Sequence, residues 1–365
     1  MLPRPPVDKV ERVSPNLPNR SAPPASPSTL LTVVIVNYDG WPDVLRLVAS
    51  LAEQPEVGSG RCEVLVVDNA TPGPIPVEMT VPRPGVRLVS RRDNGGFAAG
   101  VNTGWRSSKT PWLLILNPDV VVPPGLLRSV ASRIEQVAAG PEEAPGIVGF
   151  GLRNPDGTRQ PSVGAFPSLA RTVWEQLIPR SRRKYQAGWR TSPGPVDWVT
   201  GACVLVNTET LRDLGGMDED FFLYYEEVAL CRAARHLGWR VEYDSSVEVV
   251  HLHPLQNRPL LPMMRVITRH SKLLYFRKHL PHWQFVGLSW IVSAEVLLRT
   301  TWSGAKGWDE DARAWRTIGQ VTRRLRAGME LRGRDVLMLA EAATATVESP
   351  ESRGFPNAVV SARKR

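Results

Sequence analysis

Residues 112–119 read Trp-Leu-Leu-Ile-Leu-Asn-Pro-Asp: five apolar residues, a turn dipeptide, then a carboxylate. An apolar run this short, bounded by turn chemistry, predicts a strand buried on both faces with Asp119 just past its end. The same arrangement recurs upstream. Thr32–Val36 is followed by Asn37-Tyr38-Asp39-Gly40, and Glu63–Val67 by Asp68-Asn69-Ala70-Thr71. Val86–Val89 supplies a further strand, and Pro42–Gln54, Phe97–Ser107 and Leu126–Ala139 show helical spacing between the strands. Strands alternating with helices predict an α/β fold, a mostly parallel sheet with helices on both faces.

Beyond Gly146 the rhythm changes. Gly146–Leu152, Val196–Trp198, Ala202–Val206, Arg240–Tyr243 and Val247–Val250 read as strands, and Tyr224–Leu237 as a helix. A basic loop surrounds Arg180–Lys184, and the chain turns helical past Pro254. The expected organisation is a Pro-rich tail over 1–29, an α/β domain over 30–255, a helical region over 256–346 and a flexible tail over 347–365. With 42% hydrophobic residues among 365, the chain has ample material for a core. Three cysteines without a CxxC pair exclude a disulfide framework or a zinc ribbon. Forty-five Lys and Arg against 36 Asp and Glu suit an anionic partner, but the basic residues are scattered, which argues against nucleic acid. No signal peptide is read at the start, and a cytoplasmic protein is expected.

Ligands of open α/β sheets bind beyond the carboxyl ends of the strands. Asp68 there either caps a turn or accepts from a base N–H or a ribose hydroxyl. Asn94-Gly95-Gly96-Phe97-Ala98-Ala99-Gly100-Val101-Asn102 places paired glycines before a helix. They are either a tight turn or a close backbone approach to an anion, and the run is neither GxGxxG nor a P-loop. Asp119 is either a turn residue or a ligand of Mg²⁺ or Mn²⁺. Glu226-Glu227 is either the acidic first turn of a helix or a functional pair.

Read in order, VVIVNYDG, VVDNAT, RRDNGGFAAGVNTGW, LLILNPDVVV, VDWVTGACVLV, FFLYYEEVALCRAARHLGWRV and VEVVHLHP resemble the family 2 glycosyltransferases, in particular their bacterial rhamnosyltransferase-like branch. The resemblance spans roughly residues 31–280 and implies the GT-A fold, with a Rossmann-like central sheet and here a C-terminal helical extension. It implies a nucleotide-diphosphate sugar donor, dTDP-rhamnose being one candidate, and a saccharide or polyprenyl-linked acceptor in cell-surface polysaccharide synthesis. Asn37, Asp39, Asp68, Asn94, Gly95, Gly96, Asn102, Asn117 and Gly201 fall to donor binding, Asp119 and His251 to the metal, and Glu227 with Glu226 to catalysis, Glu227 as base. Two departures stand out. Glu227 replaces the usual aspartate, with Ala229 where another acid is common, and Leu252-His253-Pro254-Leu255 replaces a glycine- and serine-rich loop. A sugar-phosphate nucleotidyltransferase and a non-catalytic nucleotide-sugar scaffold are the rival readings.

No 18-residue apolar run occurs; the nearest is His279–Ala294, 16 uncharged residues that include Pro281. The segment from Trp283 to Trp302 is expected to pack on the catalytic domain or to dock at a bilayer surface. In the second case Arg265, Arg269, Lys272, Arg277 and Lys278 would meet anionic lipid at the inner face of the cell membrane.

Overall fold

The computed structural model describes residues 29–139, 144–175, 193–253 and 260–344; the basic loop at Arg180–Lys184 and both tails lie outside them. The first half runs β1 (Leu31–Asn37), α1 (Trp41–Ala52), α2 (Pro55–Gly58), β2 (Cys62–Asp68), α3 (Val77–Thr80), β3 (Val86–Ser90), α4 (Phe97–Ser107), β4 (Trp112–Leu116), β5 (Val120–Val121) and α5 (Leu126–Ala139). The second continues with β6 (Ile147–Arg153), β7 (Arg159–Gln160), β8 (Val163–Gly164), α6 (Leu169–Glu175), β9 (Gly194–Pro195), β10 (Trp198–Val199), β11 (Cys203–Asn207), α7 (Thr208–Leu214), α8 (Glu226–His236) and β12 (Val241–His251). Four helices complete it: α9 (Pro262–His279), α10 (His282–Ala305), α11 (Asp309–Arg326) and α12 (Gly333–Thr344).

The main sheet has the order β3-β2-β1-β4-β11-β6-β12-β5. Strands β1 to β4 are parallel, β11 runs antiparallel to both its neighbours, and β12 is parallel to β6. This is the α/β, GT-A-type sheet expected, mostly parallel with a reversed strand inside it. Alternation along β1 shows why its apolar run is unbroken. Leu31, Val33 and Ile35 join the core under α1, while Val34 and Val36 join the core under α4. Helix α4 lies unusually close to β1, because a Cβ on Gly100 or Gly104 would come within 2.4 or 2.5 Å of a methyl of Val36 or Val34.

Two expected strands at Arg240–Tyr243 and Val247–Val250 are one strand, β12, with a register shift against β6 between Asp244 and Glu248. Buried Asp244 holds the bulge, accepting from the Ser246 N–H at 2.8 Å and pairing with Arg133. At Val196–Trp198 only the two-residue pieces β9 and β10 form. The apolar stretch at His279–Ala294 is interrupted, since Leu280 is extended at the end of α9 and Pro281 caps α10. Among the described residues no helix is long and apolar enough to cross a membrane. Helices α9 to α12 share one apolar cluster with the sheet, with Phe276, Leu288, Ile318 and Val336 in the same core as Trp198, Phe221 and Cys231.

Candidate active site

Parallel register brings the ends of β1 and β2 side by side, with Asn37 opposite Asp68. Both are buried. The Asn37 amide donates to Asp68 Oδ1 at 3.1 Å and to Thr71 Oγ1 at 3.0 Å, and its Oδ1 accepts from the Gly40 N–H. Asp68 also accepts from the Thr71 N–H, so the turn-holding role foreseen for it is realised. Asp39 projects from this rim with a left-handed backbone, φ 56°, a conformation aspartate tolerates better than most residues. Asn69, absent from the expected set, ties the two loops together by donating to Asn94 Oδ1 and to the Gly96 carbonyl.

The glycine pair serves packing. The N–H groups of Gly96 and Phe97 go to Asn94 Oδ1 and to the Phe222 carbonyl, so the start of α4 is covered by the chain itself. Gly96 has φ 86°, and a Cβ there would lie 2.1 Å from the Phe222 oxygen. Gly95 leaves room for the Arg91 guanidinium. Asn102 is not brought to a ligand surface. Buried on α4, it donates to the Met217 carbonyl and Glu219 and accepts from the Met217 N–H, bracing the loop before α8.

A cavity of about 860 Å³ opens beyond the end of β4, lined by Asn117, Asp119, Gln160, Gly201, Glu227 and His251 among others. The register of β5 with β12 sets Val120 opposite His251, which places His251 Nε2 3.3 Å from Asp119 Oδ1. Burial on its own would raise the Asp119 carboxyl. The hydrogen bond from His251 and the charges of His251 and His253 outweigh it and hold the group below its ordinary value. Behind the ring, Gln160 Nε2 lies 3.0 Å from His251 Nδ1, and Gln160 Oε1 is buried without a partner. Gln160 was missed in the sequence, where a lone glutamine in a two-residue strand carries no signal.

Glu226 and Glu227 open α8 as its first two residues and are buried. The preceding Tyr224 and Tyr225 both have left-handed backbones, φ 68° and 71°. Such conformations cost roughly 1–2 kcal/mol per residue, strain of a kind that gathers at functional sites. Both acids reach the cavity, and a Cβ on Gly201 would come into ordinary contact with the Phe97 ring at 3.6 Å and the Glu227 Cβ at 3.8 Å, so Gly201 lies directly beside the acid. Ala229 faces the apolar core. The structure therefore gathers Asn117, Asp119, Gly201, Glu226, Glu227 and His251 at one cavity, and keeps Asn37, Asp39, Asp68 and Asn94 at a separate rim above β1 and β2.

A cation fits the first group in one specific way. Among the described residues no cluster of three or more acids, histidines or cysteines gathers, so Asp119 and His251 offer two ligands and a substrate's phosphate oxygens would complete the shell. The unpartnered Gln160 Oε1 supports this. With the carboxamide turned over it would accept from His251 Nδ1–H and free Nε2 for a metal.

The sequence profile described as glycosyl transferase family 2 matches residues 32–214, half the chain. The chain belongs to that family. It is a glycosyltransferase, and its curated relatives include the rhamnosyltransferase-like branch expected from the motifs. One is an N-acetylglucosaminyl-diphospho-decaprenol L-rhamnosyltransferase of Mycobacterium tuberculosis, 28% identical over 290 residues, covering 74% of this chain and 92% of the relative. Another is a rhamnosyltransferase of Escherichia coli, 22% identical over 173 residues, 46% of this chain and 61% of the relative. Among solved structures, a mannosyltransferase of Pyrobaculum calidifontis in complex with GDP-Man and Mn²⁺ is similar at TM-score 0.45 and 16% identity, over 89% of this chain and 90% of that one.

Proposed function

We propose that this glycosyltransferase inverts the anomeric centre while moving a sugar, with rhamnose from dTDP-rhamnose the first candidate, to a saccharide on a polyprenyl carrier. The observation that carries the reading is that Glu227 and the Asp119–His251 pair face one cavity floored by Gly201. The nucleoside lies along the rim of Asp39 and Asp68. Asp119 and His251 hold Mg²⁺ or Mn²⁺, which when bound neutralises charge on the leaving diphosphate. Glu227 takes the proton of the acceptor hydroxyl as its oxygen bonds to the anomeric carbon. The bond from that carbon to phosphate breaks, its electron pair leaving with the nucleoside diphosphate. No covalent enzyme intermediate is needed. The lipid carrier is proposed by likeness to the mycobacterial relative.

The reading also places the enzyme at the cytoplasmic face of the membrane. Trp283, Trp290 and Leu297 are spaced by seven residues on α10, so they share one face, and all three are strongly exposed, as is neighbouring Leu298. The one acid of α10, Glu295, points instead into the cavity. Arg326 stacks on Trp290 at 4.1 Å, so a cation borders the apolar stripe. Tryptophans bordered by basic residues suit an anionic bilayer surface. The lipid-facing residues differ from those expected. Arg265, Arg269 and Lys272 line the cavity, Arg277 holds the carbonyls of Gly328 and Met329, and Lys278 pairs with Asp218 and Asp220. The three thiols, all free and buried, suit a reducing compartment.

The decisive experiment measures donor turnover and donor binding together. Glu227→Gln should bind donor yet lose transfer by about 10²–10⁴-fold, with Glu226→Gln milder. The opposite ranking would refute the base assignment. Donor binding without turnover by the wild type across a broad acceptor panel would favour the scaffold reading.

A further inference from the structure

Two consecutive left-handed tyrosines precede the acids of α8, and something must hold them there. Among the described residues only four other than glycine have a positive φ, and only Tyr224 and Tyr225 of these are adjacent. A turn of that kind persists where its surroundings leave the chain no other path. Here the surroundings belong to α9, a helix outside residues 32–214 that the family profile covers. Ser271, Tyr275 and Lys278 recur on α9 at i, i+4 and i+7, so they form one stripe, and each grips the segment before α8. The Ser271 hydroxyl donates to the Leu223 carbonyl at 2.9 Å. The Tyr275 ring packs on the Tyr225 ring, with centroids 5.6 Å apart. Lys278 pairs with Asp218 and Asp220. Ser271 and Tyr275 are both fully buried.

Packing of α8 does not by itself call for this turn. Its apolar residues Val228, Leu230, Cys231 and Ala234 already lie in the core. What the turn adds is the direction of the first two residues of α8, which are the acids at the cavity. Arg232, further along α8, lies 3.5 Å from the Tyr275 hydroxyl, so the same ring touches α8 on both sides of Glu226 and Glu227. We infer that α9 belongs to the catalytic apparatus, with Ser271 and Tyr275 as positioning residues that hold the Tyr224–Tyr225 turn and thereby aim Glu227 at the acceptor hydroxyl. This rests on the reading of Glu227 as the base and names what fixes its direction. Neither Ser271 nor Tyr275 lines the cavity, so both act through the turn and not on substrate. Burial pushes the Tyr275 phenol up to about 12, and the ring therefore stays neutral and supplies shape, not charge.

Transfer from dTDP-rhamnose to N-acetylglucosaminyl-diphospho-decaprenol, with Mn²⁺ present, tests this in a double-mutant cycle. Ser271→Ala and Tyr275→Leu should each lower kcat by about 10–100-fold, the cost of displacing a reacting group by up to about 1 Å, with donor affinity within about twofold of wild type. Tyr275→Phe keeps the ring over Tyr225 and should recover most of the rate. In a Glu227→Gln background, Ser271→Ala should change kcat by less than about twofold, because no base remains to be aimed. Equal losses with and without Glu227 would make the contact merely structural and overturn the inference, as would an unchanged kcat in both Ser271→Ala and Tyr275→Leu. A Glu227→Gln enzyme as fast as wild type would instead remove the base, and the role assigned to α9 with it. Crystal structures of the wild type and of the Ser271→Ala, Tyr275→Leu double variant give a readout that needs no turnover. In the variant Tyr224 and Tyr225 should leave the left-handed region, with the Glu227 carboxylate displaced by about 1 Å or more; an unmoved turn would overturn the inference. Ser271→Ala alone, the loss of one oxygen atom, serves the same comparison if the double variant does not fold. Absence of turnover by the wild type would count against the enzymatic reading, while the structures would still decide what α9 holds.

Discussion

His270 gives the sharpest quantitative handle on the helical region. It lies fully buried on α9, and its Nε2–H donates to the Leu331 carbonyl at 3.1 Å, while Nδ1 is buried without a partner. Burial therefore pushes the imidazole from its ordinary 6.5 down to about 4, with the Leu331 bond and Asp220 opposing. The folded value is the lower one, so as pH falls the unfolded chain takes up the proton first. Stability is lost from pH 6.5 downward, and the loss is complete near pH 4. Between pH 7 and pH 5 the gap of about 1.5 units below 6.5 is worth about 2 kcal/mol. Urea unfolding at the two pH values, for wild type and His270→Gln, isolates this contribution, because glutamine retains a donor for Leu331 and does not titrate. The wild type should lose about 2 kcal/mol more than the variant. Parallel pH dependence in the two proteins would refute the reasoning. The effect should extend to the site, since Gly333 of α12, two residues past Leu331, packs on the Phe222 backbone that covers the start of α4.

Gln160→Leu should leave His251 without its ring partner and weaken Mn²⁺ binding about 10–100-fold by calorimetry with donor present, the usual worth of an outer-shell partner; unchanged affinity would remove Gln160 from the metal site. Asp119→Asn in the same assay should abolish metal-dependent donor binding while the thermal midpoint without ligand stays near wild type. Gly96→Ala should destabilise by about 2 kcal/mol or more, since alanine at that φ is strained and its methyl would meet the Phe222 oxygen; a stability within about 0.5 kcal/mol of wild type would show that the loop yields freely. Intact protein should float with anionic liposomes at low salt and release as salt rises, and Trp283→Ala with Trp290→Ala should abolish flotation; a wild type left in the soluble fraction would confine α10 to the fold.

What could be read from the residues alone followed the strength of the local signal. β1, β2 and β4 are legible because strands buried on both faces carry runs of four or five consecutive apolar residues, and α5 and α4 because their apolar positions recur at helical spacing. Trp198 illustrates the opposite case. Its strand is two residues long and is held by pairing with Val163–Gly164, a contact that no local pattern announces. The site divides in the same way. Acids at strand ends and at the first turn of α8 stand out in the sequence, whereas Gln160 matters only through His251, 91 residues along the chain. Asn102 and Gly95-Gly96 show how a motif can point to the right loop for a different reason, since their side of α4 is engaged with residues 217–222.

The bulge in β12 decides more than the path of one strand. Asp244 pairs with Phe150 and Glu248 with Gly151, so four steps along β12 match one along β6 and three residues are inserted. Three is odd, and a pleated strand alternates its faces with period two. The insertion therefore exchanges the faces: Val241 belongs to one core, and Val247 and Val249 to the other. His251 shares the face of Val247 and Val249, and so turns toward Asp119. The metal pair thus depends on the parity of residues 245–247. Removing all three would let β12 run regularly from Asp244 to Glu248 and keep His251 on its face, whereas removing two would leave one extra residue in a regular strand and turn the imidazole to the opposite side of the sheet, with every residue of the site still present.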